Sequence, residues 1–61
     1  MEIIDLRKIS IYQVLANPSK YLSKDKEYLI VCEHGIKSKK TSDILNKMGY
    51  RTYSLKNNKN N

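Results

Sequence analysis

The stretch that decides the fold is residues 28–38, which read YLIVCEHGIKS. Its apolar first half predicts a strand over Tyr28–Cys32, and its polar second half leads into a helical pattern. Strand side chains alternate between the two faces of a sheet, and here apolar side chains fall on both faces. This pattern is typical of the central strand of a parallel sheet.

The segment before this strand predicts another strand followed by two short helices. Glu2–Leu6 is a short apolar run that predicts the first strand. Ser10 and Gln13 have the spacing of a capping box, which predicts a helix beginning near Ser10. That helix should end at Asn17, because a proline disfavours helical geometry in the residue before it. Pro18 would start a second helical turn.

The segment after the central strand predicts one helix and a last strand. The helix is expected over residues 39–48, with Ser38 as its N-cap and Gly49 just past its end. Tyr50–Leu55 predicts a strand whose polar positions suit the edge of a sheet. The predicted buried stripe of the helix consists of Thr41, Ile44, Leu45 and Met48.

The resulting order of elements, βαβαβ, predicts an α/β fold with a small parallel sheet. If the strands lie in the order 1-2-3, right-handed crossovers place the helices on one face of the sheet. The other face would be bare although its side chains are apolar, and an exposed apolar face marks an interaction surface. We therefore expect a homodimer, or a partner protein, to cover that face.

Residues 1–56 form one predicted domain, and residues 57–61 form a polar tail predicted to be disordered. The only cysteine excludes an internal disulfide, and structural zinc needs four ligands, so we predict neither a metal nor another cofactor. A domain of this size buries only about 60% of its unfolded surface, which also favours a partner. A free thiol and the absence of a membrane-length apolar run predict a cytoplasmic protein without a membrane segment.

Twelve Lys and Arg residues against six Asp and Glu residues give the chain a net charge of +6. Such an excess is compatible with a small basic nucleic-acid binder. The lysines are spread along the chain, however, which favours a solvated surface over a nucleic-acid interface. Lys37, Lys39 and Lys40 are the exception, because they gather just after Cys32.

Cys32 lies where a strand ends and a helix begins, and this position favours a thiolate. The partial positive charge of a helix N-terminus lowers a thiol pKa, and nearby lysines do the same. Gly35 permits backbone angles that other residues avoid, so the loop can turn its amides inward. The pattern predicts a site beside the sulfur for anionic sulfur or phosphate compounds.

Two other kinds of site also use a cysteine in a loop of this type. A phosphatase of the Cys-x5-Arg type needs an arginine six positions after the cysteine, and Ser38 stands there, which excludes this class. His34 could act as a base or form a Cys-x-His metal pair, but two ligands do not make a structural zinc site. We interpret His34 as a loop residue near the substrate, and Glu33 as facing solvent.

The loop resembles the active-site loop of the rhodanese-like (sulfurtransferase) family, whose usual pattern is Cys-x-x-Gly-x-Arg-Ser. Cys32, Gly35 and Ser38 match this pattern, and Lys37 stands where arginine is common. The likeness covers most of residues 3–56. The flanking matches are Ile4-Asp5-Leu6-Arg7 near the N-terminus, Leu45, Gly49 and Tyr50 at the helix end, and Tyr53 and Leu55 in the last strand.

The resemblance implies a minimal rhodanese-like sulfurtransferase or persulfide carrier with Cys32 as the nucleophile. A small anionic donor such as thiosulfate would pass its outer sulfur to Cys32, and a thiol or cyanide would accept it. Asp5 and Arg7 would brace the loop. The implied substrate-binding loop consists of Glu33, His34, Gly35, Ile36, Lys37 and Ser38.

The chain resembles a shortened version of the family, whose domains run to roughly 100 residues, within the common size range. It lacks the leading strand and helix and the final helix of the usual domain. A non-catalytic module of the same fold, which binds a partner through the bare sheet face, is therefore the alternative function.

Overall fold

The computed structural model describes residues 1–55, which form three strands and three helices. Lys56 and the predicted tail, residues 57–61, lie outside the described residues. The elements, in chain order, are β1 (Glu2–Asp5), α1 (Ile11–Ala16), α2 (Pro18–Tyr21), β2 (Glu27–Val31), α3 (Ile36–Lys47) and β3 (Arg51–Ser54).

The three strands form one parallel sheet in the order β1-β2-β3. Ile30 of β2 lies opposite Ile4 of β1, and Tyr28 of β2 lies opposite Thr52 of β3. The α/β fold, the parallel sheet and the central position of β2 are therefore confirmed. A parallel pair needs a crossover between its strands, and α1 with α2 and then α3 supply the two crossovers.

The short helices follow the predicted stop and start signals. Ser10 is the N-cap of α1, and its Oγ accepts a hydrogen bond from the amide of Tyr12 at 3.1 Å. The reciprocal bond of a capping box, from Gln13, is not among the contacts of the described residues. Asn17 ends α1, and Pro18 is the first residue of α2, where its missing amide hydrogen is not needed.

The three helices lie on one face of the sheet. Residues of α1 and α3 belong to the buried core, and Tyr21 of α2 packs against it. The buried side chains of β2 belong to the same cluster as Val14 of α1 and Leu45 of α3. The buried cluster consists of Val14, Leu22, Tyr28, Ile30, Leu45 and Tyr50. Because side chains alternate along a strand, the intervening residues point to the opposite face.

That opposite face, which we call the open face, carries apolar side chains from all three strands. No helix in residues 1–55 packs on it, and its outer members are exposed, with 64% of Ile3 and 48% of Tyr53 accessible. The predicted bare face is therefore present in the isolated chain. The apolar members of the open face are Ile3, Leu29, Val31, Tyr53 and Leu55.

The structure corrects the prediction for α3. The helix begins at Ile36 with Gly35 as its N-cap, so Ser38 lies in the first turn and is not the N-cap. Of the predicted buried stripe, Ile44 and Met48 are exposed. The buried face of α3 is rotated around the helix axis relative to the predicted one, because polar residues of the helix bond to the loop and to β3. The residues that α3 buries are Ser38, Thr41, Ser42 and Leu45.

The end of α3 follows the prediction for Gly49. Gly49 has a φ of 101°, and its amide bonds to the carbonyl of Asn46 at 3.1 Å. The amide of Tyr50 bonds to the carbonyl of Leu45 at 3.0 Å, which completes a Schellman motif. The motif turns the chain directly into β3. None of the helices in residues 1–55 has the length and apolar character of a transmembrane span.

Candidate functional site

Cys32 is the first residue after β2, at the carboxyl end of the central strand. The prediction had extended the strand to Cys32, but the strand runs from Glu27 to Val31. In a parallel sheet, the loops that follow the strands all lie at the same edge, the carboxyl end. Cys32 therefore lies between the end of β1 and the start of α3. The thiol is half-buried and is not part of a disulfide.

Two backbone amides from the start of α3 point at the sulfur of Cys32. The amide of Gly35 lies 3.1 Å from Sγ, and the amide of Ser38 lies 3.2 Å from it. The first amides of a helix have no partner within the helix, so they are available to bind the sulfur. Gly35 makes the turn possible, because its φ of 78° is strained for residues with a Cβ.

Ser38 contributes its hydroxyl as well as its amide. The side chain is fully buried, and its Oγ donates to the carbonyl oxygen of Gly35 at 3.2 Å. Hydrogen bonding of the same hydroxyl with Cys32 favours the thiolate. A hydroxyl has one hydrogen, so it serves one of these two acceptors at a time. Ser38 therefore belongs to the site because it hydrogen-bonds with the sulfur of Cys32, and it is not the cap of the helix.

These contacts lower the pKa of Cys32 below that of an ordinary cysteine. Burial, the largest single influence, raises the pKa, but hydrogen bonds from the hydroxyl and amide of Ser38 and the amides of Gly35 and His34 together outweigh it. The main source of activation is thus the ring of donors around the sulfur. Thiolate is the reactive form of cysteine, so the geometry favours a nucleophile.

Of the three lysines that gather just after Cys32 in the sequence, one lines a cavity at the thiol. Lys37 lines a cavity of about 200 Å³, whose other lining residues are Cys32, Glu33, His34 and Ile36. Lys39 points along α3 instead and bonds to Asp43 at 3.4 Å, while Lys40 is exposed. Of the three predicted lysines, Lys37 is therefore the one placed beside the site.

Glu33 and His34 form the outer rim of the loop. Their side chains are each 78% exposed and approach one another at 4.0 Å, from Oε1 of Glu33 to Nε2 of His34. Glu33 faces solvent, as predicted. Both side chains line the small cavity at Cys32, and a hydrogen bond from the backbone amide of His34 is among those that lower the pKa of the thiol.

Asp5 and Arg7 lie beside the loop because β1 runs parallel to β2. Asp5 is the register partner of Val31, which places it next to the start of the loop. The guanidinium of Arg7 donates two parallel hydrogen bonds to the Asp5 carboxylate, both 2.9 Å long. This bonding lowers the pKa of Asp5 to about 2 and raises that of Arg7, on which the charges of Glu33 and Cys32 also act.

A further cavity of about 540 Å³ runs along β1 and is lined by the same ion pair and by apolar side chains such as Ile3 and Ile9. Cys32 does not line it. This larger depression therefore lies apart from the sulfur, and the smaller cavity at Lys37 is the one where a ligand would meet the thiol.

The sequence reasoning missed a buried polar cluster that fixes α3 on the sheet. Thr52 Oγ1 donates to Asn46 Oδ1 at 2.9 Å and lies 3.0 Å from Ser42 Oγ, and the Thr52 amide also donates to Asn46 at 2.9 Å. The signal in the sequence is weak: polar residues four apart on one helix and a threonine in an apolar strand. The cluster holds the register of α3, and with it the two amides that face Cys32.

Within residues 1–55, no group of three or more His, Cys, Asp and Glu side chains could hold a metal ion. Comparison of the chain with protein-family models, with curated proteins and with solved structures gives no match. The features of this chain that indicate a function are therefore the geometry around Cys32 and the motif in which it lies.

Proposed function

We propose that the protein is a minimal rhodanese-like sulfurtransferase or persulfide carrier that moves sulfane sulfur through Cys32. The observation that carries the proposal is the pair of amides, from Gly35 and Ser38, that point at the Cys32 sulfur at 3.1 and 3.2 Å. Amides in this position stabilise a thiolate before the reaction. They would also stabilise the negative charge of a persulfide after it, since they are preorganised donors.

In the first step, the Cys32 thiolate attacks the outer sulfur of thiosulfate. A new bond forms between the two sulfurs, and the bond within thiosulfate breaks. Sulfite leaves with the electron pair of that bond, and Cys32 becomes a persulfide with one negative charge. The total charge of three is the same before and after the step, so no oxidant, reductant or proton is required.

In the second step, a nucleophilic acceptor attacks the terminal sulfur of the persulfide. Cyanide would leave as thiocyanate, and a thiolate would leave as a new persulfide. In both cases the electron pair of the broken bond returns to Cys32 as a thiolate. The half-buried position of Cys32 leaves the terminal sulfur room to extend into the cavity beside Lys37 and Ile36.

Lys37 supports the proposal as a binding group for the anionic donor. Lys37 lines the cavity together with Glu33 and His34, and it occupies the position where the family pattern commonly has arginine. An ammonium binds as a point charge, whereas arginine binds two oxygens at once, so we expect weaker selection among donors. Asp5 and Arg7 act as positioning residues at the flank of the loop.

A persulfide carrier needs surroundings that keep its thiol reduced between turnovers. Cytoplasmic reductants keep thiols in that state, so we assign the proposed activity to the cytoplasm. The parallel α/β sheet and the strand-loop-helix arrangement at Cys32 support the likeness to rhodanese-like domains.

The test is an intact-mass measurement after incubation with thiosulfate. We expect the wild-type protein to gain the mass of one sulfur atom, and we expect Cys32→Ser to gain nothing. Addition of cyanide should remove the extra mass and release thiocyanate. A folded wild-type protein that acquires no sulfur from thiosulfate, or from a small-molecule persulfide, would contradict the proposal and favour a non-catalytic module.

A further inference from the structure

The open face has an apolar centre that crosses all three strands. Ile3 lies opposite Leu29 in the β1–β2 register, and Leu29 lies opposite Tyr53 in the β2–β3 register. These side chains form one row across the sheet. Val31 and Leu55 extend the apolar surface toward the carboxyl ends of the strands. Contiguous exposed apolar surface of this kind marks an interaction site.

Charges at the two ends of this row balance one another. Glu27 and Arg51 are register partners at the amino ends of β2 and β3, and the hydroxyl of Tyr53 donates to Glu27 at 3.4 Å. Asp5 and Arg7 form an ion pair at the other end. The rim of the open face thus carries two acidic and two basic groups, on a chain whose net charge is +6.

The excess positive charge lies elsewhere, and much of it is on the helices. Five lysines belong to α2 and α3, namely Lys20, Lys37, Lys39, Lys40 and Lys47. Two copies that met through their helices would repel one another, because like charges would face each other. Two copies that meet through their open faces bring together neutral surfaces with both signs at the rim. An acidic partner would instead be drawn to the lysines.

We propose that the open face pairs with the open face of a second copy of this chain, forming a two-fold homodimer. The contact is isologous, so the same apolar row serves both subunits and each rim presents both charge signs to the other. Residues 56–61 read KNNKNN and contain no apolar side chain with which to cover the row. A second copy supplies an apolar surface of matching size.

The size of the open face sets the strength of this dimer. Three strands at a spacing of about 4.8 Å, each about five residues long with a rise of about 3.3 Å, give a face of about 15 by 17 Å. This area is smaller than the roughly 800 Å² per partner of a standard stable interface. The dimer is therefore weak and reversible, with a dissociation constant on the order of 100 µM.

Dimerisation through this face leaves the thiol accessible. Gly35 and Ser38 approach Cys32 from α3, and α3 packs on the helix side of the sheet. The cavity at Lys37 lies beyond the strand end. The association and the sulfur chemistry are thus separable, and either can fail without the other.

Sedimentation velocity under reducing conditions tests the dimer, because a Cys32 disulfide between two chains is then prevented. Measurements from about 10 µM to about 1 mM span a dissociation constant of the expected size. We expect the wild-type sedimentation coefficient to rise with concentration toward that of a dimer. Tyr53→Lys, which places a charge in the apolar row, should weaken association at least about tenfold.

Tyr12→Lys is the matched control, because Tyr12 is 80% exposed but lies on α1. It should dimerise as the wild type does. Ile3→Lys introduces the same charge from β1 and replaces Tyr53→Lys if that variant loses its circular dichroism spectrum. A wild-type protein that stays monomeric up to about 1 mM overturns the proposal. Equal association of wild type, Tyr53→Lys and Ile3→Lys overturns it as well.

Discussion

The amide of Ser38 lies 3.2 Å from the sulfur of Cys32, six positions earlier in the chain. This contact joins the end of the central strand to the first turn of α3 and places a preorganised donor at the reactive atom. Ser38 is fully buried, so the residue that carries this amide is held away from solvent. Ser38 therefore both favours the thiolate form of Cys32 and links the start of α3 to the end of β2.

Ser38→Ala should raise the pKa of Cys32, because it removes the hydroxyl that favours the thiolate while keeping the amide. Wild-type Cys32 should react with iodoacetamide at a lower pH than a free cysteine does, and the pH profile of the variant should move upward. Ser19→Ala, at an exposed serine of α2, is the control and should leave the profile unchanged. An unaltered profile in folded Ser38→Ala would contradict the assigned role.

The same lowered pKa couples stability to pH. The unfolded thiol has the higher pKa, so between the two pKa values the unfolded chain binds more protons than the folded chain. Stability contributed by the thiolate is fully present above the unfolded pKa and is lost as the pH falls through the folded pKa. Chemical denaturation of wild type and Cys32→Ser over this interval should show the extra slope in the wild type alone.

Much of the fold follows from the sequence because it depends on local patterns. The apolar run at Tyr28, the stop at Pro18 and the glycine at the end of α3 each act within a few residues, and the order βαβαβ then leaves few topologies. Gly35 likewise predicts a turn, because glycine adopts backbone angles that other residues avoid. These features explain why the parallel sheet, and the position of Cys32 at the end of its central strand, could be predicted.

The register of α3 could not be predicted in the same way, because it depends on contacts between distant segments. An apolar stripe would have buried Ile44 and Met48, yet both are exposed. Ser42 is buried instead because Thr52, ten residues later on β3, bonds to it. The helical pattern in the sequence shows which residues are apolar. It does not show which polar residues of the helix will form hydrogen bonds with the sheet.

Thr52→Val should destabilise the protein by about 0.5–1.5 kcal/mol, because it removes the buried hydroxyl that bonds with Ser42, while Asn46 keeps its bond from the amide of residue 52. The shape of the side chain is nearly unchanged, so packing contributes little to the loss. Thr52→Ser is the matched control, since it retains the hydroxyl. Urea denaturation of both variants measures the difference. Equal stability of Thr52→Val and wild type would show that the cluster does not hold α3.

Arg7→Gln should raise the pKa of Asp5 from about 2 toward the ordinary value of an aspartate, because the guanidinium holds that carboxylate in its charged form. A depressed carboxyl pKa stabilises the folded state above the unfolded pKa, and this stabilisation is lost as the pH falls through about 2. The variant should therefore show a weaker loss of stability in acid. Titration of the Asp5 carboxyl carbon by NMR measures the change, and Arg51→Gln should leave Asp5 unaltered.

Lys37→Ala should weaken binding of thiosulfate with little effect on the chemical step, because Lys37 lines the cavity at Cys32 while the hydrogen bonds to the sulfur come from Gly35 and Ser38. Exposed charge interactions contribute about 0.2–1 kcal/mol, so we expect KM to rise by up to about fivefold at low salt while kcat is unchanged. The effect should shrink as the ionic strength increases, since the interaction is screened. Lys47→Ala, in the last turn of the same helix, removes the same charge far from the thiol and should leave KM unchanged. Equal effects of the two substitutions would mean that the overall charge, rather than Lys37, draws the donor to Cys32.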